Sequence, residues 1–262
     1  MATITSLSAT QGKPGDSITI NGSGMSTTAR VNFGSTPVTP TSVTATTAVF
    51  TVPNSAPCSG QVSVSVTSTS GITSNSLAFF RTAIPTTTGT SVTCVPAATG
   101  GSVTLFGSGF AAGGTITVGS VGTVALAAGG NDTQTTFTAP ADATQATCIV
   151  PQTITVTTAG GTSTSGTTLV EYTNPPVLAA ATATPATGPD GTTVTVSGGS
   201  CLDGITSATF TDSAATAFTI TPAPLSSSSF TFDVPATAAT GAATLTVTTC
   251  GGTSGTLAFT VT

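Results

Sequence analysis

The residues of this chain that could do chemistry are few. Histidine is absent, and the acidic residues number eight. They are Asp16, Asp132, Asp142, Glu171, Asp190, Asp203, Asp212 and Asp233. Without histidine, neither a Ser-His-Asp nor a Cys-His catalytic set can form. Asp203 and Asp212 are the closest pair that could flank a pocket, but we expect both to be solvated turn aspartates. The sequence therefore predicts no catalytic residue and no enzyme.

Metal and cofactor sites are not expected either. A calcium site needs about six to eight oxygen ligands, usually with several carboxylates. Asp190, Asp203 and Asp212 could contribute oxygen atoms, but no loop has the required spacing. The GSG sequence at 107–109 follows a predicted strand, yet the third glycine and the helix of a dinucleotide fingerprint are missing. We therefore expect a backbone turn at these glycines, and no cofactor.

Charged residues make up only 4% of the 262 residues, and the basic ones are Lys13, Arg30 and Arg81. An ordinary domain has about 25% charged residues. Nucleic-acid binding needs clustered lysine and arginine, so three scattered cations exclude a nucleic-acid partner and an anionic membrane surface. No apolar run approaches the roughly 20 residues of a membrane-spanning helix, so membrane insertion is not expected.

The same landmarks recur three times along the chain, at offsets of roughly 90 residues, which indicates an internal repeat. A glycine pair is followed by a short strand, a strand ending in proline, an alternating strand and, after a glycine-rich turn, a last strand. The glycine pairs are Gly22/Gly24, Gly107/Gly109 and Gly198/Gly199. The repeats span the whole chain and predict domains at 1–82, 83–174 and 175–262.

Apolar and polar residues alternate along the strands of each repeat. Val62, Val64 and Val66 share one face, with Ser63 and Ser65 on the other, as in a half-buried antiparallel strand. About seven short strands with turns between them indicate an immunoglobulin-like β-sandwich. The sequence thus predicts an all-β protein of three tandem immunoglobulin-like sandwiches. The residues predicted to be buried are Ile18, Ile20, Phe33, Val64 and Val66 in the first repeat, and Val103, Leu105, Val118, Ile154 and Val156 in the second.

Each repeat resembles an IPT/TIG domain, which has an immunoglobulin-like fold. The first repeat matches this family best, with ITINGSGM, VNFG, FTVP, VSVSV and SLAFF in the family's order. The second keeps GSGF and Tyr172 but has Val118 in place of phenylalanine. The third has adjacent glycines in place of G-x-G and no glycine after Phe210. Proline-containing segments, RTAIPTT and YTNPPVL, connect the repeats. Proline stiffens such segments, so we expect a rod.

The cysteines number five, and four of them fall near strand ends of the predicted sandwiches. Cys201 and Cys250 are expected at one pole of the third sandwich, and Cys94 and Cys148 at the opposite pole of the second. This placement predicts two disulfides within domains, Cys94–Cys148 and Cys201–Cys250, and leaves Cys58 unpaired. The alternative is free thiols, as in a reducing cytosol.

A sugar partner is a further expectation, because some IPT/TIG-like modules belong to carbohydrate-active proteins. Sugar sites usually stack an aromatic ring against the sugar. Tyr172 is the single tyrosine, and tryptophan is absent. Because Tyr172 occupies the terminal aromatic position of its repeat, we expect it to lie in the core.

The lack of catalytic residues and the Thr- and Ser-rich surface predict a structural or interaction protein on the exterior of a multi-copy assembly. The chain has no recognisable signal or anchor, so a phage virion component is expected first: a capsid decoration protein, head fibre or tail appendage. The alternative is a bacterial cell-surface adhesin or carbohydrate-binding module. Docking on a protein partner is expected through the first domain, which holds all three cations and Cys58.

Overall fold

The computed structural model describes residues 1–54, 59–164 and 168–262. In these residues the chain is all-β, with one 3₁₀ turn at Phe110–Ala112 and no α-helix, so no helix there is long and apolar enough to cross a membrane. The chain divides into two compact units. Unit 1 comprises Met1–Ser91, Val103–Phe137 and Thr153–Leu169, and unit 2 comprises Val92–Ser102, Thr138–Gln152 and Val170–Thr262. The predicted all-β, immunoglobulin-like fold class is confirmed.

The first repeat forms two sheets that enclose one core. Its strands in the described residues are β1 (Thr3–Leu7), β2 (Gln11–Gly12), β3 (Ser17–Ser23), β4 (Thr28–Phe33), β5 (Thr36–Val38), β6 (Ser42–Val43), β7 (Thr47–Thr51), β8 (Gly60–Ser68) and β9 (Leu77–Arg81). The sheet orders are β1-β3-β7-β6 and β2-β9-β8-β4-β5. The short β2 pairs with β9 in parallel, whereas the other neighbours are antiparallel. Phe33 packs between Phe50 and Phe79, with ring centroids 5.9 and 5.6 Å away.

The second repeat contributes residues to both units. Its strands in the described residues are β10 (Thr86–Thr90), β11 (Cys94–Pro96), β12 (Gly101–Ser108), β13 (Gly114–Val118), β14 (Gly122–Leu126), β15 (Gln134–Ala139), β16 (Ile149–Thr158), β17 (Gly161–Thr162) and β18 (Leu169–Thr173). In unit 1, β10 pairs with β12, and β13 lies between β14 and β16. In unit 2, β11 pairs with β18 in parallel. The domain boundaries at 82–83 and 174–175 remain a prediction from the repeats.

The third repeat lies within unit 2 and has the same strand order as the first. Its strands are β19 (Thr182–Thr184), β20 (Thr187–Gly188), β21 (Thr193–Ser197), β22 (Ser207–Thr211), β23 (Ala217–Ile220), β24 (Ala223–Ser226), β25 (Ser229–Asp233), β26 (Gly241–Thr249), β27 (Gly252–Thr253) and β28 (Leu257–Val261). The sheet orders are β19-β21-β25-β24 and β20-β28-β26-β22-β23, with β27 paired to β26. The third repeat therefore keeps the topology even where its glycine motif departs from that of the first.

The core agrees with the predicted alternation of apolar and polar residues. All ten residues predicted to be buried are at most 4% exposed. Full burial of a Val, Leu, Ile or Phe side chain stabilises a fold by about 1.5–3 kcal/mol. These inward positions are therefore a main source of stability for each sandwich.

The glycine pair of the first repeat spans the end of β3, with Gly22 in the strand and Gly24 in the turn that follows. Gly22 lies against β1 so closely that an added Cβ would overlap the carbonyl oxygen of Thr3. Gly24 has φ of +65°, a left-handed conformation that favours glycine. The next residue, Met25, is fully buried. Gly22 therefore allows β1 to pack closely against β3, and Gly24 allows the turn that returns the Met25 side chain to the core.

Candidate functional site

The two aspartates considered as a pocket-flanking pair have different surroundings. Asp212 is buried, and its carboxylate accepts hydrogen bonds from the amides of Ala239 at 2.9 Å, Thr216 at 2.8 Å and Ala214 at 2.9 Å. These amides, with that of Ala239 contributing most, hold the pKa of Asp212 below its usual range. Asp203 is exposed in a turn. The turn role predicted for both is correct, but Asp212 is buried rather than solvated.

Several other acidic side chains also accept hydrogen bonds that stabilise turns or strand ends. The acceptor and donor pairs are Asp16 with the Lys13 amide, Asp132 with the Ser59 and Ala111 amides, Asp190 with the Thr237 amide, and Asp233 with the Thr193 hydroxyl. Among the described residues, no three or more Asp, Glu or Cys side chains form a group that could hold a metal ion. These carboxylates therefore act as structural hydrogen-bond acceptors.

The predicted disulfide pairing is wrong. The structure joins the four cysteines as Cys94–Cys250, with Cα atoms 6.3 Å apart, and Cys148–Cys201, with Cα atoms 5.0 Å apart. All four lie in unit 2. The prediction treated each sandwich by itself, whereas each bond joins a strand end or loop of the second repeat to one of the third. Cys58, predicted to be unpaired, lies outside the described residues.

We call the segment around these bonds the second junction: Cys94, Cys148, Asn174, Cys201, Cys250 and Gly251. The amide of Asn174 donates to the carbonyl oxygen of Cys148 at 2.8 Å, and the Asn174 side chain donates to the carbonyl oxygens of Gln145 and Thr147. A Cβ on Gly251 would overlap the carbonyl oxygen of Asn174. The linker after the second repeat is thus held by backbone hydrogen bonds, close packing and two covalent bonds.

Tyr172 lies in unit 2 beside this junction and is fully buried, as predicted. Its hydroxyl donates a hydrogen bond of 2.8 Å to the carbonyl oxygen of Pro140. Burial, and to a smaller extent the carboxylate of Asp142, raises the pKa of Tyr172 to about 12. A buried ring whose hydroxyl is already bonded to the backbone cannot stack on a sugar, so Tyr172 is a core residue.

Unit 1 contains the corresponding first junction, which we define by Ser59, Ala83, Ala111, Asp132 and Gly160. The Asp132 carboxylate accepts hydrogen bonds from the amides of Ser59 and Ala111, each at 3.1 Å. The Ala83 amide donates to the Ser59 hydroxyl at 2.9 Å. A Cβ on Gly160 would overlap the carbonyl oxygen of Ala83, as Gly251 does with Asn174 at the second junction. The two linkers therefore pack on equivalent glycines.

A cleft of about 280 Å³ opens at the first junction. Its lining residues are Lys13, Pro14, Asn54, Arg81, Ala83, Ile84, Thr86 and Ser108. Of the two basic lining residues, Arg81 is only 4% exposed, whereas Lys13 is exposed. The hydroxyls of Thr86 and Ser108 are 2.8 Å apart. The cleft thus combines two positive charges, hydroxyl and amide groups, and an apolar wall.

The parallel pairing of β2 with β9 brings the two cations together. Gly12 is the register partner of Arg81, so Lys13 follows directly beside it although the two residues are 68 positions apart (81 − 13). The expectation of scattered cations is therefore wrong for Lys13 and Arg81. A two-residue strand carries no alternation pattern, so the sequence signal for this pairing was only the shared sandwich topology.

The family comparison agrees with the motifs of the first repeat. Residues 2–80 match the model of the IPT/TIG domain. The first repeat is therefore an IPT/TIG domain, as predicted. Among curated proteins, none matches the chain significantly.

Solved structures similar to this chain include one with a xylogluco-oligosaccharide, with 21% identity and a TM-score of 0.43 over 99% of this chain and 60% of the other. The extracellular region of plexin A4 has 15% identity and a TM-score of 0.34, over 91% of this chain and 21% of that protein. The SGBP-B protein of a Bacteroides ovatus mixed-linkage glucan utilization locus, in complex with a heptasaccharide, has 16% identity and a TM-score of 0.28, over 95% and 64%. This chain spans less than two thirds of each. At this level of similarity, the bound sugars are properties of those proteins alone.

Proposed function

We propose that the chain is a non-catalytic structural and binding module that works outside the cytosol, on a bacterial cell surface. The observation that carries the proposal is the pair of disulfides at the second junction. Disulfides persist in oxidising compartments and are rare where cellular thiols keep cysteines reduced. An exposed module that must resist unfolding gains directly from such bonds.

The distribution of polar groups supports a binding rather than a catalytic role. The chain has no histidine, and Asp16, Asp132 and Asp212 accept backbone hydrogen bonds that stabilise turns. The cleft at the first junction, in contrast, has polar side chains that face solvent around an apolar wall. Such a cleft suits reversible binding of a small polar group.

The cell surface is preferred to the virion as the setting. A virion protein assembled in a host cytosol would form its structure where thiols stay reduced, whereas the second junction joins two repeats through disulfides. The comparisons give no support to a capsid or tail role. Attachment to a protein partner through the first domain remains a prediction.

The decisive experiment is disulfide mapping of protein isolated from its natural source under alkylation. With Cys94–Cys250 and Cys148–Cys201 formed and Cys58 free, we expect one alkylated cysteine in each chain before reduction and five after it. Cross-linked peptides should identify the two bonds. Five alkylated cysteines before reduction would show a reduced protein and contradict an extracellular role.

Labelling of intact cells provides the second readout. A membrane-impermeant reagent for amines should modify Lys13, which is exposed, in intact cells as efficiently as in lysed cells. A cytosolic protein of known location serves as the matched control. Labelling that appears only after lysis would rule out the cell surface even if the disulfides were present.

A further inference from the structure

The outer face of the first repeat carries a row of three side chains centred on an aromatic residue. Phe80 on β9 is the register partner of Gln11 on β2 and of Gln61 on β8. Since β9 lies between β2 and β8 in the sheet, and paired residues point to the same face, the Phe80 ring has an amide side chain on each side. Phe80 is half-buried, and both glutamines are exposed. We call these three residues the Phe80 row.

The fold of the sandwich does not require this row. The third repeat has the same strand order, and its corresponding positions hold Thr187, Thr260 and Ala242. The preceding, inward-facing residue is a buried phenylalanine in both repeats, Phe79 and Phe259. Within the described part of the chain, the side-chain amides of the two glutamines have no hydrogen-bond partner. The row therefore offers an aromatic ring and free amide groups that the packing of the repeat does not use.

A cleft of about 360 Å³ opens beside the row, within unit 1. Its described lining residues carry no charge and are Gln11, Phe80, Ala111, Ala112, Ala128 and Gly129. The amide of Gly129 donates to the carbonyl oxygen of Ala111 at 2.9 Å, which joins the two segments of the second repeat that line the cleft. The cleft thus combines an aromatic ring, an amide group and small apolar side chains.

These groups match a neutral sugar better than other polar ligands. A sugar ring has C–H groups on its face, which pack on an aromatic ring, and hydroxyl groups at its edge. Hydroxyl groups both donate and accept hydrogen bonds, as glutamine amides do. A nucleotide would bring phosphate charges that call for basic residues, and the described lining has none. A proline-rich peptide docks in a groove lined by several aromatic side chains, whereas the row has one.

We infer that the Phe80 row binds a neutral hexose unit of a glycan. The ring face packs on Phe80, and the ring hydroxyls bond to the amides of Gln11 and Gln61. This inference rests on the proposed function only in treating the chain as a binding module, and it names the ligand class of that module. Disulfide mapping and surface labelling test the cellular location, so their failure and a failure of sugar binding are distinguishable.

The test uses the purified full-length chain with its disulfides intact, and cellotetraose as the probe. The ring substituents of its β-1,4-linked glucose units are equatorial and leave both ring faces apolar. Amide chemical shifts and titration calorimetry are recorded with cellotetraose, with β-1,4-linked tetraglucuronate as its charged counterpart, and with decaproline. We expect cellotetraose to bind most tightly and to shift the amides of Gln11, Phe80 and Gln61. Tighter binding of tetraglucuronate or decaproline would overturn the neutral-sugar assignment, and unshifted amides in the row with cellotetraose would overturn the site.

Matched phenylalanine variants separate the row from other apolar surface. Phe80→Thr introduces the residue that the third repeat has at this position, so the variant should fold, and it should weaken cellotetraose binding about tenfold or more. Phe106→Thr changes an exposed phenylalanine of unit 1 outside the row and the cleft lining, and it should leave the affinity unchanged. Equal affinities of these two variants would overturn the inference.

Glutamine variants provide a second comparison that does not depend on the folding of Phe80→Thr. Gln61→Ala removes one amide of the row and should weaken cellotetraose binding about three- to tenfold, as for the loss of a neutral hydrogen bond. Gln134→Ala removes an exposed glutamine of β15 in unit 1 and should have no effect. If both variants kept the affinity of the parent chain, the role assigned to the glutamine amides would be wrong.

Discussion

At the first junction, in unit 1, the linker residue Ala83 donates a hydrogen bond to Ser59, and the Asp132 carboxylate accepts hydrogen bonds from Ser59 and Ala111. The second junction, in unit 2, has two disulfides. The two junctions share one packing contact, in which a glycine lies directly against a carbonyl group of the linker. Gly160 contacts Ala83 at the first junction, and Gly251 contacts Asn174 at the second. The shared packing defines how consecutive repeats are joined. The covalent bonds are an addition at one of the two places.

A second difference concerns the last inward-facing residue of each repeat. This position, near the end of the final strand, holds Arg81 in the first repeat, Tyr172 in the second and Val261 in the third. The buried Tyr172 hydroxyl donates a hydrogen bond to the backbone carbonyl oxygen of Pro140 beside the second junction. Arg81 instead lines an open cleft. The comparison thus separates a junction that carries two disulfides from one that carries an open cleft.

The largest effect should come from breaking a disulfide of the second junction. Cys94→Ser should destabilise unit 2 by about 2–5 kcal/mol, because the bond closes a loop with a sequence separation of 156. Thermal unfolding followed by circular dichroism measures the change, and amide hydrogen exchange locates it. We expect faster exchange in β26 and β28 of unit 2 and little change in β3 and β7 of unit 1.

The pairing itself can be tested by a double-mutant cycle. Since Cys94 and Cys250 share one bond, Cys94→Ser, Cys250→Ser and the double variant should be destabilised equally. Cys58→Ser is the matched control and should change little. Additive effects of the two single variants would contradict this pairing.

The next effect concerns Tyr172 and alkaline pH. The folded-state pKa is raised from 10.0 to about 12, so the stabilising contribution is complete below pH 10 and is lost as pH rises through 12. Between these values the unfolded chain loses the phenol proton while the folded chain keeps it, so the free energy of unfolding falls as pH rises, by a few kcal/mol in total.

Tyrosinate absorbance measures this pKa directly, because the chain has a single tyrosine. Tyr172→Phe is the control, since it keeps the ring but has no ionisable group. Its stability should show less dependence on pH between 10 and 12 than that of the parent chain. A tyrosinate transition near pH 10 in the folded protein would contradict burial of the Tyr172 hydroxyl beside the second junction.

The fold could be predicted further than the site, for a physical reason. Val64, Val66 and Ile154 lie on strands in which apolar and polar residues alternate, and this alternation predicts which side chains are buried within one sandwich. Disulfide pairing and the cleft depend on surfaces where two repeats meet, which the pattern of a single repeat does not describe. Lys13 and Arg81 meet only because a two-residue strand pairs in parallel with β9. Long-range pairing of this kind leaves no local signal.

Crowding the shared glycine packing should have an intermediate effect. Gly160→Ala places a methyl group against the carbonyl oxygen of Ala83, and the linker cannot yield freely because the Ala83 amide is bonded to Ser59. We expect a loss of about 1–3 kcal/mol, the usual cost of overpacking, measured by urea unfolding.

Gly89→Ala is the matched control in unit 1, since no heavy atom lies within 4 Å of its Cβ position. It should be neutral or stabilising by less than about 1 kcal/mol. Gly251→Ala tests the second junction in the same way. Equal stability of the Gly160 and Gly89 variants would show that the first linker is loose and that the two junctions differ in packing as well as in covalent bonds.

The smallest effect should come from Asp132. Its carboxylate joins segments at the first junction by hydrogen bonds, where the second junction has disulfides. Asp132→Ala leaves the amides of Ser59 and Ala111 without this acceptor. Because Asp132 is half-buried, water can replace part of each bond, and we expect a loss of about 1 kcal/mol in urea unfolding. Asp132→Asn keeps one acceptor oxygen and should lose about half as much. Thr41→Ala, which removes an exposed hydroxyl hydrogen bond to the Val49 carbonyl oxygen elsewhere in unit 1, is the reference for a small polar change. If Asp132→Ala lowered the free energy of unfolding as much as Cys94→Ser does, the first junction would depend on this carboxylate as strongly as the second depends on a disulfide. The stated difference between the two junctions would then be wrong.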